Sequence, residues 1–520
     1  MWWIRPNFFR DTKVICFIFK SIIHQTAWAF FMQLHLIDLA VIGLFFLSML
    51  VIGIMSYYRS KSAEDYFVAG GKLPWWLAGI SHHVSGHSGA VFVAYAAVAF
   101  THGFTIYVWW ALPVGVVIIG AAGIFPVYWV RLRKQLQIQS PLEYLRIRYN
   151  LLTQQVVAWN GVLLKVFDVG AKWAAIGILL KVVAGIPMET GILVSGVVTL
   201  VYVTFGGLWG VIVTDFIQFI VQVMGGIVMF VLVVNRLGGT DSITGIWKQL
   251  PPQHHQFFNE PYSIGFVLVM FFLYFLSYNG GSWSLATRYI SSPTEKEASK
   301  AAWLSGVLYL IWPLILFFPM WAAPLLLPAA TVPSESYGWL MLEVLPTGMI
   351  GLVIASLFAA TMGMTSSDVN TVAAVITRDI LPVLSKKFSN DKYALRTARI
   401  TTFVFTLATL VIALNYQRFG GVLGLIVNWF AALLGPTSMP LLFGLLPMFK
   451  HCGPRAAIAS IVAGLITFII TKNLHLGNLA LEVGLPTMVS ALVFIGAGLL
   501  TKQVPEKVEA LVLALKEKGE

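Results

Sequence analysis

Long apolar segments recur through this chain and decide what it can fold into. A helix needs about 20 mostly apolar residues to cross the hydrocarbon core of a bilayer. Windows of this kind recur from residue 34 to residue 501, with short polar segments between them. Lipid offers no partner to an exposed backbone, and the alternating pattern of a transmembrane barrel is absent. The sequence therefore predicts an all-α protein that crosses the lipid bilayer many times.

Thirteen spans account for these windows and leave little room for a soluble domain. Composition agrees, because 58% of the residues are apolar and only 11% are charged, a balance that soluble domains do not show. The predicted spans lie near residues 34–56, 75–101, 106–130, 153–183, 190–207, 209–234, 262–287, 300–328, 345–381, 398–415, 419–448, 454–471 and 484–501.

The net charge of +12 is explained by topology. Alternate loops carry 23 Lys and Arg residues on one side, Arg288 counted among them, and four on the other. The positive-inside rule then places the amino end of the first span outside and the carboxyl tail in the cytoplasm. We therefore expect a multi-pass protein of the cytoplasmic (plasma or inner) membrane, functional as a monomer, with no nucleic-acid partner.

The first 31 residues do not fit this topology, because they place four basic residues outside, in front of a broken apolar run. We expect segment 1–31 to be an extension that is not translated, with Met32 as the true start. The alternative is an amphipathic or signal-like segment that begins at Met1.

Two predicted spans are interrupted by small polar residues. The interruptions are Ile80–Gly89 and Leu276–Ser284, and each opens a run of five spans, 75–234 and 262–448. Paired interruptions in matching positions are typical of inverted-repeat transporters, in which unwound backbone serves a solute and its coupling ion. Close packing of helices through small residues is the alternative. The rest of the chain divides into a peripheral helix (34–56), two further peripheral helices (454–501) and a tail (502–520).

Three segments in order resemble the solute:sodium symporter family, whose members include glucose, proline and sialic acid symporters. They are Ser62-Ala-Glu-Asp-Tyr-Phe-Val-Ala-Gly-Gly-Lys-Leu-Pro-Trp-Trp76, Gly206-Gly-Leu-Trp-Gly-Val-Ile-Val-Thr-Asp-Phe-Ile-Gln218 and Ala359-Ala-Thr-Met-Gly-Met-Thr-Ser-Ser-Asp-Val-Asn370. The resemblance covers roughly residues 34 to 501. It implies a LeuT-type core of five plus five helices and a sodium-coupled alternating-access cycle.

The resemblance also implies a main sodium site. Its carbonyl ligands fall on Ile80, His83 and Ala360, and its two hydroxyl positions fall on Gly363 and Met364. Neither of these side chains offers the oxygen that a hard cation prefers. The site is therefore degraded, completed by other groups, or not used.

A second cation position, found in some family members, is matched by this chain. Asp215 aligns with its carboxylate and Ser366 and Ser367 with its hydroxyls, while Thr365 and Asp368 are further oxygen donors nearby. Alternatively, Asp215 lies at the interface or pairs with a basic loop residue. A buried carboxylate can also carry a proton, so proton coupling is an alternative to sodium.

Lys165, Asp168 and Lys172 lie three and four residues apart, and so share one face of the fourth predicted span. An ion pair that only orients the helix is one interpretation, but one carboxylate cannot neutralise two ammonium groups. By resemblance to a member that binds an acidic sugar, we expect Lys172 to contact a carboxylate or hydroxyl of the substrate.

Several polar and aromatic residues of the interruptions complete a candidate substrate pocket. They are His87, Tyr278, Asn279, Trp283 and, on the tenth core helix, Asn428. His87 matches a residue that contacts sugar in glucose-type members; a satisfied core histidine is the alternative. His82, His83 and His87 are close together, but no cysteine or carboxylate accompanies them, so no metal beyond sodium is predicted.

These features favour a transporter that imports a small polar solute, a sugar or polyol or a small carboxylate, by sodium-coupled symport. A proton-coupled or cation-independent transporter of the same fold is the first alternative. A membrane solute sensor is the second, although only about 20 residues follow the last span. The sequence holds no phosphate-binding loop and no nucleophile with a matching base, so we expect neither an enzyme nor a cofactor.

Overall fold

The computed structural model describes residues 34–59, 62–389, 391–429, 434–474, 476–501 and 504–516. The predicted extension 1–31 and Met32 lie outside these residues. The described chain is helical, with one isolated β-bridge between Asn259 and Tyr262, which confirms the all-α prediction.

Ten helices make up the first half of the described chain. They are α1 (Leu36–Arg59), α2 (Ala63–Val68), α3 (Trp75–Val84), α4 (Ala94–His102), α5 (Leu112–Gly120), α6 (Phe125–Leu136), α7 (Leu145–Arg148), α8 (Leu151–Ala184), α9 (Met188–Arg236) and α10 (Ser242–Gln249).

Twelve helices follow in the second half of the described chain. They are α11 (Ile264–Leu276), α12 (Trp283–Ile290), α13 (Glu295–Leu326), α14 (Ser336–Val344), α15 (Met349–Val375), α16 (Leu381–Leu384), α17 (Asp391–Leu414), α18 (Gly421–Trp429), α19 (Gly435–Phe443), α20 (Pro454–Leu474), α21 (Leu479–Leu499) and α22 (Glu506–Lys516).

Side-chain caps fix where the long core helices begin. The Asn150 carbonyl Oδ1 accepts from the Thr153 backbone N–H at 2.8 Å at the start of α8. Thr294 does the same for Glu297 at the start of α13, with the Thr-x-x-Glu spacing of a capping box. Gly185 ends α8 in the left-handed conformation, with φ of 63°. The sequence thus sets both ends of α8, the helix that carries the predicted lysine–aspartate face.

Eight described helices are long and apolar enough to cross a membrane, and two bent pairs raise the number to ten. The other three predicted spans are not among these ten. Helix α8 carries buried charges, α9 is broken at Gly207, and residues 430–433 between α18 and α19 lie outside the description. The count of thirteen stays a prediction, as do the domain boundaries.

Both predicted interruptions are present as breaks between helices. Helix α3 ends at Val84, a 3-10 turn begins at Gly89, and the two parts of this span meet at 44°. Helix α11 ends at Leu276, and a π-turn over Ser277–Gly281 precedes α12. We name residues 85–88 the first break and residues 277–282 the second break.

The span predicted near 106–130 is bent, which the sequence did not indicate. The segment Tyr107–Gly120 and helix α6 meet at 54°, and α6 continues to Leu136. The turn between them includes Gly123, where an added Cβ would have no neighbour within 4 Å. Pro126 lies in the first turn of α6, where its missing N–H costs no hydrogen bond.

The tail helix α22 packs on the bundle through its apolar face. Val508, Leu511, Val512 and Leu515 are buried. Gln135 of α6 donates to the Ala514 carbonyl at 2.9 Å. The last described helix is therefore anchored to the helices that follow the bend.

Gly207 bends α9 against a buried tyrosine. Its φ of 58° and ψ of −163° are non-helical, in a region that is essentially open only to glycine. A Cβ at this position would lie 2.6 Å from Tyr66 Cδ2. Both the backbone and the neighbouring ring therefore require glycine.

Gly207→Ala should lower the melting temperature of the purified protein, because it adds strain of roughly 1–3 kcal/mol at one backbone position. Thermal unfolding in detergent measures the change. Gly245→Ala is the matched control: it lies in the short helix α10, an added Cβ meets nothing within 4 Å, and alanine favours the helix. Equal melting temperatures for Gly207→Ala and wild type would contradict the prediction.

Candidate functional site

The two breaks face each other in the middle of the bundle. The Tyr278 hydroxyl of the second break donates to the Gly86 carbonyl of the first break at 2.8 Å. A Cβ on Gly86 would lie 1.9 Å from the Tyr309 hydroxyl oxygen and 2.9 Å from Tyr278 Cε1. The close approach of the two breaks therefore requires glycine at position 86.

A cavity lies between the breaks and brings together three of the predicted substrate residues, His87, Lys172 and Tyr278. Its wall is mostly apolar, with charged and hydroxyl groups at a few points, as is usual for small-molecule sites. It is lined by Ser85, Gly86, His87, Ser88, Ala90, Val91, Tyr95, Trp110, Lys165, Asp168, Lys172, Ser277, Tyr278, Ser282, Ser284, Leu285, Met364 and Ile426.

The predicted residues Asn279 and Trp283 are not among those that line this cavity. The Asn279 amide donates to the Phe275 carbonyl at 2.8 Å. Trp283 lines a smaller neighbouring cavity together with Lys165. Its ring packs against Gly161, where an added Cβ would lie 2.1 Å from Trp283 Cη2. The side chain of Asn428 lies outside what the structure describes.

The histidines of the first break make different contacts. His87 Nδ1 lies 3.0 Å from the His83 carbonyl and Nε2 lies 3.1 Å from Gln222 Oε1. His82 Nδ1 lies 2.8 Å from Ser305 Oγ. The described residues provide no hydrogen-bond partner for either ring nitrogen of His83. They also provide no cluster of three or more potential metal ligands.

Four buried charges form a closed, electroneutral cluster beside the cavity, which we name the charge quartet: Lys165, Asp168 and Lys172, which line the cavity, and Asp368. Lys165 Nζ lies 2.6 Å from Asp168 Oδ2 and 2.9 Å from Asp368 Oδ1. Lys172 Nζ lies 2.8 Å from Asp168 Oδ2 and 2.6 Å from Asp368 Oδ2.

The quartet joins α8 to α15. Ser284 Oγ of α12 also donates to Asp368 Oδ1 at 2.9 Å. The second carboxylate is that of Asp368, which does not belong to α8. From the sequence, we had expected Asp368 near the second cation position. Each lysine thus contacts both aspartates, and no net charge remains.

The expected main sodium site is tightly packed by protein groups. The His83 carbonyl already accepts from the Tyr309 hydroxyl at 3.0 Å. A Cβ on Gly363 would lie 2.6 Å from Val84 Cγ1 and 2.8 Å from Gln218 Oε1. Met364 faces the cavity. The side chains at positions 363 and 364 supply no oxygen, as the sequence indicates.

The second cation position contains an arginine that sequence reasoning assigned to a cytoplasmic loop. Arg288 lies in α12, and its side chain is completely buried, as is that of Asp215 in α9. Arg288 Nη2 lies 3.2 Å from Asp215 Oδ2 and also donates to Ser367 Oγ of α15. Ser366 Oγ instead donates to the Gly363 carbonyl of its own helix at 3.1 Å.

The placement of Arg288 in a loop is therefore wrong, because α12 continues to Ile290. A signal for the correct placement was present: Arg288 follows Ser284 by four residues, so both lie on one helix face. The excess of basic residues in one set of alternate loops remains without it.

Asp368→Asn should lower the stability of the folded protein by about 3–5 kcal/mol, because it leaves two buried ammonium groups with one carboxylate. Asp368→Asn combined with Lys165→Met restores neutrality and should recover most of the loss. Melting temperatures in detergent measure both changes.

The matched control is Glu343→Gln, which removes the exposed pair Arg236–Glu343, with side chains 60% and 44% exposed. It should cost at most about 1 kcal/mol. A double variant no more stable than Asp368→Asn would contradict the role of charge balance.

Comparison with known proteins identifies the family. The model of the sodium:solute symporter family matches residues 66–464. A sodium/sialic acid symporter of Proteus mirabilis (strain HI4320) is 26% identical over 469 residues, which cover 85% of this chain and 91% of that protein. A sodium/glucose cotransporter of Vibrio parahaemolyticus is 26% identical over 467 residues, 84% of each chain.

Solved structures show the same fold. A Na+-coupled sialic acid symporter in a substrate-bound outward-open state matches with a TM-score of 0.79 and 22% identity, over 91% of this chain and 99% of that one. Mhp1, a nucleobase-cation-symport-1 family transporter, matches in a closed conformation with a TM-score of 0.57 and 13% identity, over 86% and 98% of the two chains. The fold is LeuT-type, as the resemblance implied, and the chain belongs to the sodium:solute symporter family.

Proposed function

We propose that this protein is a secondary active transporter that imports a small polar solute by alternating access, with sodium as the coupling ion. The observation that carries the proposal is the cavity between two facing breaks, which has hydroxyl and charged groups on its wall. Broken spans of this kind place a solute against half-helix ends and unwound backbone. Sodium is the ion in the names of the sialic acid and glucose relatives.

The charge quartet favours a neutral polyhydroxy solute, a sugar or polyol, over a small carboxylate. Two ammonium groups and two carboxylates have no net charge, so the cluster does not select an anion by long-range attraction. Hydroxyl groups can accept from Lys172 and donate to Asp168 in the same cavity. A carboxylate substrate would have to displace an aspartate from its lysine.

The proposal includes the topology predicted from the loops. The amino end of α1 lies outside, the tail lies in the cytoplasm, and the protein acts as a monomer in the cytoplasmic membrane. The asymmetry of basic residues supports this orientation.

Transport without a sodium ion is the second candidate, and two observations favour it. Gly363 and Met364 offer no side-chain oxygen at the main site, and the Arg288 guanidinium lies against the carboxylate of the second site. Protons or a solute gradient alone would then drive uptake.

The substrate class can be found by thermal shift. A solute that binds the folded state raises its melting temperature, so sugars, polyols and small carboxylates are compared with and without sodium at two pH values. We expect a polyhydroxy solute to give the largest rise. A rise confined to carboxylates would contradict this preference.

Uptake of the identified solute into proteoliposomes should be saturable and should increase when a sodium gradient is imposed. The measurement compares a sodium gradient, a pH gradient and no ion gradient. Uptake that does not depend on sodium and stops when the pH gradient collapses would show that protons are the coupling ion. Uptake driven by the solute gradient alone would show that transport is independent of cations. Binding without uptake under any gradient would contradict transport and favour a sensor.

Lys172→Met combined with Asp168→Asn should raise the KM for uptake about tenfold or more, because a charged hydrogen bond to the solute is lost while the remaining pair stays neutral. The matched control is Lys165→Met with Asp168→Asn, which leaves Lys172 paired with Asp368. Equal KM values for the two double variants would show that Lys172 has no special contact with the solute.

A further inference from the structure

Arg288 is held by groups from four helices. Its Nη2 contacts Asp215 Oδ2 of α9 and Ser367 Oγ of α15, and its Nε donates to Ser81 Oγ of α3 at 2.9 Å. Its Nη1 donates to the Ser284 carbonyl of its own helix α12 at 3.1 Å. The guanidinium therefore lies at the point where these helices meet.

Without the guanidinium, the groups around it are ligands for a hard cation. Ser81 Oγ lies 2.5 Å from Asp215 Oδ2, and Ser85 Oγ lies 2.8 Å from Ser367 Oγ. A carboxylate and several hydroxyls are the oxygen ligands that sodium, a hard cation, prefers. In this structure, the Arg288 guanidinium supplies the positive charge that balances the carboxylate.

Further oxygens beside this cluster have no donor. Asp215 Oδ1 and Gln218 Oε1 are buried and have no hydrogen-bond partner among the described residues. Both approach the same point, since a Cβ on Gly363 would lie 3.3 Å from the first and 2.8 Å from the second. These two oxygens would add to the ligands of an ion that takes the place of the guanidinium.

We infer that Arg288 is a resident cation, which occupies the carboxylate site of Asp215, Ser81 and Ser367 in place of an ion from solution. The site therefore takes no free sodium in the wild-type protein, and removal of the guanidinium opens it to sodium. This deepens the proposed function, because any sodium that drives transport must then bind elsewhere in the core.

The physical reason is that a single buried carboxylate accepts one balancing charge. The Arg288 guanidinium and a sodium ion each carry one positive charge, and both need the same oxygen atoms. Simultaneous occupancy would crowd two cations against one carboxylate, whereas an empty site would leave Asp215 unpaired. Arg288 and sodium are thus mutually exclusive at this position.

The test measures sodium-specific stabilisation of purified protein in detergent, as the melting temperature in sodium chloride minus that in choline chloride at equal ionic strength. Four proteins are compared: wild type, Arg288→Gln, Arg288→Lys, and Arg288→Gln combined with Asp215→Asn. We expect Arg288→Gln to show a sodium-specific rise several degrees larger than that of wild type. Arg288→Lys keeps a resident cation, and the double variant lacks the carboxylate, so both should show no larger rise than wild type.

Two results would overturn the inference. One is an Arg288→Gln protein with no gain in sodium response over wild type. The other is a gain that survives in the double variant, which would place the new sodium away from Asp215. If Arg288→Gln gives no folded protein, Asp215→Asn is compared with wild type: an equal sodium response supports the inference and a weaker one overturns it.

The readout is binding rather than uptake, so it separates this inference from the proposed function. A wild-type protein that transports no solute would contradict the proposed function and leave the sodium response of Arg288→Gln unchanged.

Discussion

Charge neutrality in the middle of a membrane bundle is the constraint on which the rest of this structure depends. Three cations, Lys165, Lys172 and Arg288, face three anions around the two breaks, Asp168, Asp215 and Asp368. An ion without a partner there would cost several kcal/mol. Each helix that contributes one of these charges is therefore held in register by a charge on another helix.

The two ionic clusters hold different sets of helices. The charge quartet connects α8 to α15, whereas the Arg288 cluster connects α3, α9, α12 and α15. Helix α15 contributes to both, through Asp368 and Ser367, which are adjacent in sequence. Helix α12 also contacts both, because Ser284 Oγ donates to Asp368 and the Ser284 carbonyl accepts from Arg288. Any motion that opens the cavity to one side must keep these contacts or break them at a cost of several kcal/mol each. Helices that share a cluster are thus expected to move together.

The sequence predicts the parts of this arrangement that depend on local pattern. Apolar windows predicted the helical spans, and glycine and serine runs predicted both breaks, because each is a property of consecutive residues. Lys165, Asp168 and Lys172 were placed on one face by helical spacing alone. Their partner Asp368 is 196 residues beyond Lys172, and no local pattern pairs them. Arg288 was misplaced because a charged residue after an apolar window resembles the start of a loop, and its partners come from three other helices.

The structure also gives Gly363 a different role from the one that the sequence predicts. Read alone, a glycine at a hydroxyl position indicates a sodium site that has lost a ligand. In the structure, α3 and α9 lie close against α15 at Gly363, with Val84 and Gln218 too near to admit any Cβ without a shift. A serine there could not restore the site unless these neighbours moved. The absence of the hydroxyl and the presence of Arg288 are therefore consistent with each other, because the charge of the Asp215 carboxylate is balanced by a cation that belongs to the protein.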